Sequence, residues 1–141
     1  MPTHFQLLTR ETRGFCDMHD LTDEVEAGIE ESGIAEGMVL VSVPGSTALV
    51  TTIEFESGAL ADLADAIHRL APEGIPYAHD ARWGDGNGFS HVRAALLGPS
   101  ACLPIHGGRL VRGPWQQPLL VDFDNGPRSR NIAVQIIGEQ G

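Results

Sequence analysis

The chain has 141 residues, of which 42% are apolar, and a formal net charge of −10. This length predicts one domain over residues 1–141 with a buried core, and the apolar fraction argues against disorder. No apolar run approaches the roughly 20 residues that a membrane-spanning helix needs, and no signal-peptide pattern is present, so a cytoplasmic protein is expected.

The charged residues exclude several classes of function. Residues 1–65 carry 13 of the 19 acidic residues and only two arginines, and the chain has no basic stripe that could displace counterions from nucleic acid. It also has no lysine, which excludes Schiff-base chemistry and a Walker-type phosphate lysine. Cys16 and Cys102 fit neither a zinc knuckle nor a disulfide framework. Any small anionic substrate is therefore expected in the arginine-richer C-terminal half.

Two segments have the pattern of an amphipathic helix. The first is Asp20–Ser32, which Asp20 or Thr22 can cap and Gly33 can end. The second runs from Leu60 to Ala71, where apolar residues recur three and four positions apart.

The other apolar segments are predicted to be strands, because they are short and rich in β-branched residues or alternate in polarity. They are His4–Thr9, Met38–Val43, Thr47–Glu54, Ser90–Leu97, Ala101–Ile105, Arg109–Arg112, Leu119–Phe123 and Asn131–Ile137. Hairpin-length connections in the second half favour antiparallel pairing. Many strands with two main helices inserted early predict an α+β fold with a largely antiparallel, sandwich-like sheet.

One glycine-rich loop, residues 77–91, concentrates the chemically active side chains. Within it, His79, Asp85 and His91 can bind a divalent metal, since imidazole and carboxylate suit Zn²⁺, Mn²⁺ or Fe²⁺. Asp80 can instead orient its neighbours. The glycines allow tight folding, and we expect rigid strands on either side. A plain tight turn explains the same residues equally well.

Two arginines follow a turn near the end of the chain. On an extended segment, side chains two residues apart face the same side, so Arg128 and Arg130 can form a clamp for phosphate or carboxylate. The alternative explanation is an exposed edge strand whose charges discourage aggregation.

Three further residues are candidates of a weaker kind. Glu54 ends an apolar strand, where it either faces solvent or completes a metal site. Trp115 is expected in the core, and the amide of Gln116 beside it needs a hydrogen-bond partner.

Six short blocks of residues follow one another in order. They are Tyr77-x-His79-Asp80, Gly84-Asp85-Gly86-Asn87-Gly88-x-Ser90-His91, Leu97-Gly98-Pro99-Ser100, Gly108-Arg109-Leu110, Gly113-x-Trp115-Gln116 and Pro127-Arg128-x-Arg130. In these blocks and their order the chain resembles the YjbQ family of secondary thiamine-phosphate synthase enzymes. The resemblance covers nearly the whole chain and implies a sandwich-like α+β subunit, a homotrimer and a histidine-lined cavity near the subunit interface.

The resemblance also implies an activity and roles for particular residues. The reaction joins a pyrimidine diphosphate to a thiazole phosphate and releases pyrophosphate. A divalent metal, zinc first with magnesium or manganese as alternatives, is expected on His79, His91 and Asp85. The residues expected in catalysis are Asp85, Asn87, Glu54 and Gln116, and those expected to bind the substrate are Arg128, Arg130 and Ser100.

The chain departs from the family pattern where a site histidine is expected. Gly45 occupies that position, in Gly45-Ser46-Thr47-Ala48 instead of His-Thr-Thr-Ala. A three-histidine metal site is therefore not carried over, whereas two histidines and a carboxylate, from either Asp85 or Glu54, can still bind a metal. The alternative function is a non-catalytic homotrimer that binds a metal or an anion on the same scaffold.

Overall fold

The computed structural model describes residues 1–141 as an α+β fold of eight strands and four helices. The strands are β1 (Thr3–Thr12), β2 (Asp17–Asp20), β3 (Ile34–Ser42), β4 (Ala48–Ile53), β5 (Ser100–His106), β6 (Arg109–Leu110), β7 (Gln117–Asp122) and β8 (Arg128–Gln140). The helices are α1 (Thr22–Ser32), α2 (Ser57–Leu70), α3 (Ala78–Trp83) and α4 (Gly88–Leu97).

The strands form two sheets, and every pairing within them is antiparallel. The larger sheet has the order β1-β8-β3-β5-β6 and the smaller has the order β2-β7-β4. The predicted fold class, a largely antiparallel and sandwich-like α+β arrangement, is confirmed.

Both predicted helices are present. The first begins at Thr22, where the Asp20 carboxylate accepts a hydrogen bond from the Thr22 backbone N–H at 2.9 Å. It ends at Gly33, which takes the left-handed conformation with φ of 70°. The second helix starts earlier than predicted, because the Glu56 carboxylate accepts a hydrogen bond from the Ala59 N–H and caps it.

The predicted strand Ser90–Leu97 is wrong, because this segment is helix α4. Its buried residues Phe89, Ser90, Arg93 and Ala94 recur with helical rather than alternating spacing. Alanine and leucine dominate its second half and are strong helix formers. The site loop is likewise not flanked by strands, since α3 and α4 occupy most of it. Strand β2 was not predicted at all.

The core has two parts, one on each side of the smaller sheet. The larger part lies between the two sheets and α1, with Leu21, Val39, Leu120 and Val134 among its fully buried residues. The smaller part lies on the opposite face of the smaller sheet, where residues of α2 and α4 cover it. The helices that carry the candidate site therefore rest on a sheet that is packed on both faces.

The outer face of the larger sheet is not covered. Alternate residues of its strands place large apolar side chains at this surface, and these are Phe5, Leu7, Met38, Leu40 and Ile137. No helix of the chain combines the length and the hydropathy that crossing a membrane requires.

Candidate functional site

A cleft of about 480 Å³ opens where four segments meet. The segments are the β3–β4 turn, α3 with the loop that follows it, the first turn of α4, and the start of β8. The cleft is lined by Gly45, Ser46, Thr47, His79, Trp83, Asp85, Asn87, His91, Arg128 and Arg130. Residues far apart in the sequence thus line one cavity, some from the glycine-rich loop 77–91 and others from the segment that carries Arg128 and Arg130.

His79 lies between two carboxylates on the wall of this cleft. Its Nδ1 atom is 3.5 Å from Asp80 Oδ1 and 3.4 Å from Asp85 Oδ1. The Nδ1 atom is buried and makes no hydrogen bond, although an unpaired buried polar atom is unfavourable. One potential ligand atom from each of the three residues lies within 4.8 Å of the other two. This donor set fits a divalent cation that the three side chains would share.

His91 approaches the same group from α4. Its ring centroid is 4.4 Å from that of His79, and the two rings are tilted by 40°. The group of mutually close ligand atoms contains Asp80 rather than His91. Two of the three expected metal ligands, His79 and Asp85, therefore lie together, with His91 beside them. Metal binding itself stays a prediction.

Asp80 also joins α3 to α4. Its Oδ1 atom accepts a hydrogen bond from the Gly88 N–H at 2.8 Å, at the first turn of α4. A negative charge is stabilising there, because backbone N–H groups at a helix N-terminus are partly unpaired. A Cβ on Gly88 would lie only 2.6 Å from the Tyr77 Cβ, so the close approach of the two helices requires glycine. Asp80 therefore joins the two helices that carry the site, and it also belongs to the group of close ligand atoms around His79.

Arg130 is held at the back of the cleft by Asp122. Arg130 Nε donates to Asp122 Oδ2 at 2.7 Å and Arg130 Nη2 donates to Oδ1 at 3.1 Å. Arg130 Nη2 also donates to Thr47 Oγ1 at 2.6 Å. Arg130 is only 7% exposed, so the explanation as an exposed charge is wrong for this residue, whereas Arg128 is exposed. Around both arginines β8 pairs with β1 alone, because its pairing with β3 begins at Ala133.

Asp124 connects three of the segments that line the cleft. Its carboxylate accepts hydrogen bonds from Thr47 Oγ1 at 3.0 Å, Asn87 Nδ2 at 3.2 Å and Arg128 Nε at 2.9 Å. Burial alone would raise the pKa of this carboxyl, but the Asn125 N–H, these side-chain donors and the charge of Arg128 outweigh it. The pKa of Asp124 therefore lies below its ordinary value.

Each arginine keeps part of its guanidinium free. Arg128 and Arg130 bind the aspartates through Nε and Nη2, and their Nη1 atoms make no hydrogen bond. A Cβ on Gly45 would lie 3.1 Å from Arg130 Nη1, and Gly45 has φ of 126°, which disfavours any side chain. Glycine in place of the expected histidine therefore leaves Arg130 Nη1 uncovered.

The charges in and behind the cleft favour a cation. Four carboxylates lie here beside only two guanidiniums, those of Arg128 and Arg130, so together the groups carry a formal charge of −2. The carboxylates are those of Asp80, Asp85, Asp122 and Asp124. One divalent metal ion would neutralise this charge. One side of each guanidinium already binds a carboxylate of the chain itself, Asp124 for Arg128 and Asp122 for Arg130.

Three predicted site residues lie outside the cleft. Glu54 follows β4 and Gln116 precedes β7, at the end of the paired strands opposite to Asp122. Five residues of strand, at about 3.4 Å each, separate the two ends by roughly 17 Å. Ser100 is exposed at the start of β5. The catalytic and substrate-binding roles expected for these residues stay predictions.

The segment around Gln116 differs from expectation in one respect. Gln116 Oε1 accepts from the Gly113 N–H and Nε2 donates to Thr52 Oγ1, so the amide has the partners it needs. Trp115 is 71% exposed, and its predicted place in the core is wrong. The reason is that residues 113–116 form a turn outside the sheet.

The sequence reasoning missed Thr47, Asp122 and Asp124. A signal was present, because two aspartates two residues apart end the apolar run of β7, and two arginines with the same spacing begin β8. Matched charges with matched spacing on either side of a short turn indicate ion pairs.

Comparison with known proteins gives a consistent result. The profile of the YjbQ family, described as UPF0047 protein YjbQ-like, matches residues 5–139. A UPF0047 protein from Archaeoglobus fulgidus is 37% identical over 130 residues, which cover 92% of this chain and 98% of that protein. UPF0047 protein YugU from Bacillus subtilis is 34% identical over 86% of this chain and 90% of that protein.

Solved structures extend the similarity to the fold. A YbjQ-like protein of unknown function from Sulfolobus solfataricus P2 is 34% identical, with a TM-score of 0.92 over 97% of this chain and 98% of that one. An uncharacterized conserved protein of the YjbQ/UPF0047 family from Clostridium acetobutylicum is 30% identical, with a TM-score of 0.85 over 94% and 99% of the two chains. The protein therefore belongs to the YjbQ (UPF0047) family.

Proposed function

We propose that the protein is a metal-assisted enzyme that acts on small phosphorylated molecules. The proposed reaction resembles that of thiamine-phosphate synthase, in which a pyrimidine diphosphate and a thiazole phosphate are joined and pyrophosphate is released. One observation carries the proposal. The buried, unpaired Nδ1 atom of His79 lies between two carboxylates, in a cleft that Arg128 and Arg130 also line.

The chain offers a site for a metal ion next to a site for phosphate. His79, Asp80 and Asp85 would hold the ion, with His91 beside them. When bound, a divalent cation neutralises charge on phosphate oxygens and stabilises a phosphate leaving group. Zinc suits this mixed set of imidazole and carboxylate ligands best, and magnesium or manganese are the alternatives.

The arginines are held in a fixed orientation before any ligand binds. Asp122 and Asp124 engage Arg130 and Arg128 on the side away from their free Nη1 atoms. Donors that are already oriented need no rearrangement when charge develops on a substrate oxygen, which is why they stabilise transition states. We propose that the Nη1 atoms contact phosphate oxygens, and that Asp122 and Asp124 act as positioning residues.

The other expected catalytic residues divide into two groups. Asp85 and Asn87 line the cleft and can contact a ligand directly. Glu54 and Gln116 lie at the far end of β4 and β7, so they could reach a cleft only from a neighbouring subunit. Ser100 is exposed at the start of β5 and does not line the cleft, although the preceding Pro99 lies close to it.

We also propose that the protein assembles as a homotrimer. The uncovered outer face of the larger sheet supports self-association, because a monomer rarely leaves so many large apolar side chains together at its surface. Light scattering should give three times the chain mass of 15.1 kDa. Phe5→Glu on this face should lower that mass, and Leu70→Glu at the exposed end of α2 should leave it unchanged. A wild-type mass of one chain would contradict the trimer.

The metal site is tested by calorimetry on untagged protein that a chelator has stripped of metal. Wild type should bind one Zn²⁺ per chain, and His79→Ala should weaken binding by at least about tenfold, or 1.4 kcal/mol. His68→Ala, which removes an exposed histidine from the last turn of α2, is the matched control and should bind like wild type. Equal zinc affinity in His79→Ala and wild type would contradict the proposed site.

Activity separates the enzyme from the alternative function. Zinc-loaded wild type is mixed with the pyrimidine diphosphate and the thiazole phosphate, and released pyrophosphate is measured. Arg128→Ala should reduce the rate by about 10²–10³, as the loss of one transition-state donor commonly does. Zinc binding without pyrophosphate release would favour the non-catalytic homotrimeric metal- or anion-binding protein.

A further inference from the structure

A second, apolar pocket adjoins the polar cleft. This side pocket has a volume of about 370 Å³ and is lined by Gly45, Ser46, Ala48, His91, Ala94, Ala95 and Pro99. Gly45, Ser46 and His91 line the cleft as well. The two cavities therefore adjoin each other, with His91 at their common edge.

The side pocket exists because its walls carry small side chains. Ala48 comes from β4, and Ala94 and Ala95 come from α4. None of the lining residues is an acid, a lysine or an arginine. The only polar side chains in the lining are those of Ser46 and His91, which also line the cleft. Elsewhere in the side pocket a polar ligand group would lose its water without gaining a side-chain partner, whereas apolar ligand surface is stabilised by leaving water.

Asn87 gives independent support for a ligand in the adjoining cleft. Its Nδ2 atom faces the Asp124 carboxylate, which when ionised only accepts hydrogen bonds, so this orientation of the amide is required. The Oδ1 atom then has no hydrogen-bond partner, and it is buried because Asn87 is only 6% exposed. An N–H or O–H group of a bound molecule would satisfy it.

We propose that the side pocket binds a compact apolar ring of the same ligand whose phosphate lies in the cleft, and that Ala95 sets the size of the group accepted. The inference rests on the proposed function, because it places the ring next to a phosphate held by the arginines. The ligand class is thus a ring-bearing phosphate ester with a hydrogen-bond donor near the phosphate.

Ala95 is the position at which the pocket can be filled with least disturbance. It is exposed on α4, so a larger residue there replaces no core contact. Side chains on a helix point towards its N-terminus, so a leucine at 95 would extend over the preceding turn, towards His91 and the side pocket. Ala61→Leu, at an exposed position of α2, is the matched control.

The test compares phenyl phosphate with methyl phosphate by calorimetry on protein that holds one equivalent of Zn²⁺. Wild type should bind phenyl phosphate about tenfold more tightly, which corresponds to burying about 50 Å² more apolar surface. Ala95→Leu should remove this preference and leave methyl phosphate unchanged, and Ala61→Leu should alter neither affinity. Thermal unfolding confirms that each variant is folded.

The outcomes separate this inference from the proposed function. Equal wild-type affinities for the two phosphates would overturn the side pocket as a ring site and leave the phosphate site standing. A phenyl preference that survives in Ala95→Leu would also overturn it. If wild type binds neither phosphate, the proposed function fails and the inference fails with it.

Discussion

The guanidinium of Arg130 binds the carboxylate of Asp122 side-on, with two hydrogen bonds of 2.7 and 3.1 Å between them. Arg130 belongs to the larger sheet and Asp122 to the smaller, so this ion pair fastens the two sheets together directly behind the cleft. Thr12 also donates its hydroxyl to the same carboxylate from β1. The site and the join between the sheets therefore depend on one polar network.

Removing one partner of this ion pair should be strongly destabilising. Arg130→Ala leaves the Asp122 carboxylate buried without its main partner, which commonly costs about 3–5 kcal/mol in the free energy of unfolding. Urea denaturation measures the loss. Arg13→Ala is the control and should cost at most about 1 kcal/mol, because the Arg13 side chain is exposed and Asp17 keeps its hydrogen bond from the Arg13 backbone N–H. Similar losses in the two variants would contradict the importance of the buried pair.

Asp124 should contribute to stability in a manner that depends on pH. Because its folded-state pKa lies below the ordinary value of 3.8, its contribution is complete above that value and is lost as the pH falls towards the folded-state pKa. The difference in unfolding free energy between wild type and Asp124→Asn should therefore be largest near neutral pH and shrink below about pH 4.

Urea denaturation at pH 7 and at pH 3 measures this difference. Asp62→Asn, at an exposed position of α2, controls for the loss of one carboxylate from an acidic protein. If the gap between wild type and Asp124→Asn were the same at both pH values, the ionised carboxylate would not be what stabilises the cleft.

The fold class could be predicted from the sequence, because the strands alternate in polarity or are rich in β-branched residues and one helix is strongly periodic. Tertiary packing does not override such patterns. Helix α4 could not, since its outward face carries Val92, Leu96 and Leu97, and an apolar outer face hides the helical period. The convergence of His79 with Arg128 depends on how distant segments pack, which no local pattern encodes. The two-residue spacing indicated that Arg128 and Arg130 face the same side. It did not indicate that Asp124 and Asp122 of the same chain bind their guanidiniums.

Gly88→Ala should disturb the site through a steric clash. The added Cβ would lie 2.6 Å from the Tyr77 Cβ and 3.0 Å from Asp80 Oδ1, so α3 and α4 must move apart. Such overpacking typically costs about 1–3 kcal/mol. Gly126→Ala is the matched control, since a Cβ there meets nothing within 4 Å.

Thermal unfolding and zinc calorimetry on the two glycine variants measure the effect. Gly88→Ala should lower the melting temperature and weaken zinc binding, because Asp80 contacts both Gly88 and His79. A Gly88→Ala variant as stable as Gly126→Ala would show that the helices tolerate a wider separation.

Arg93 should stabilise the helical layer that supports the cleft. It is buried in α4, and its Nε donates to the carbonyl of Ala71 at 2.9 Å, where α2 ends and a positive charge is favourable. Its guanidinium also lies 4.9 Å from the ring of Phe89 and 5.8 Å from that of Phe123. Arg93→Met should keep much of the packing but leave the Ala71 carbonyl without its donor, at a cost of about 1–3 kcal/mol.

Arg93→Ala should cost more than Arg93→Met, because it also leaves a cavity beside the two rings. Urea denaturation of the two variants therefore separates the packing of the long side chain from its hydrogen bond and charge. Arg69→Met, at an exposed position in the last turn of α2, is the control for the loss of one positive charge and should be close to neutral. If Arg93→Met were as stable as wild type, the arginine would act only as an apolar stem, and the end of α2 would not need its charge.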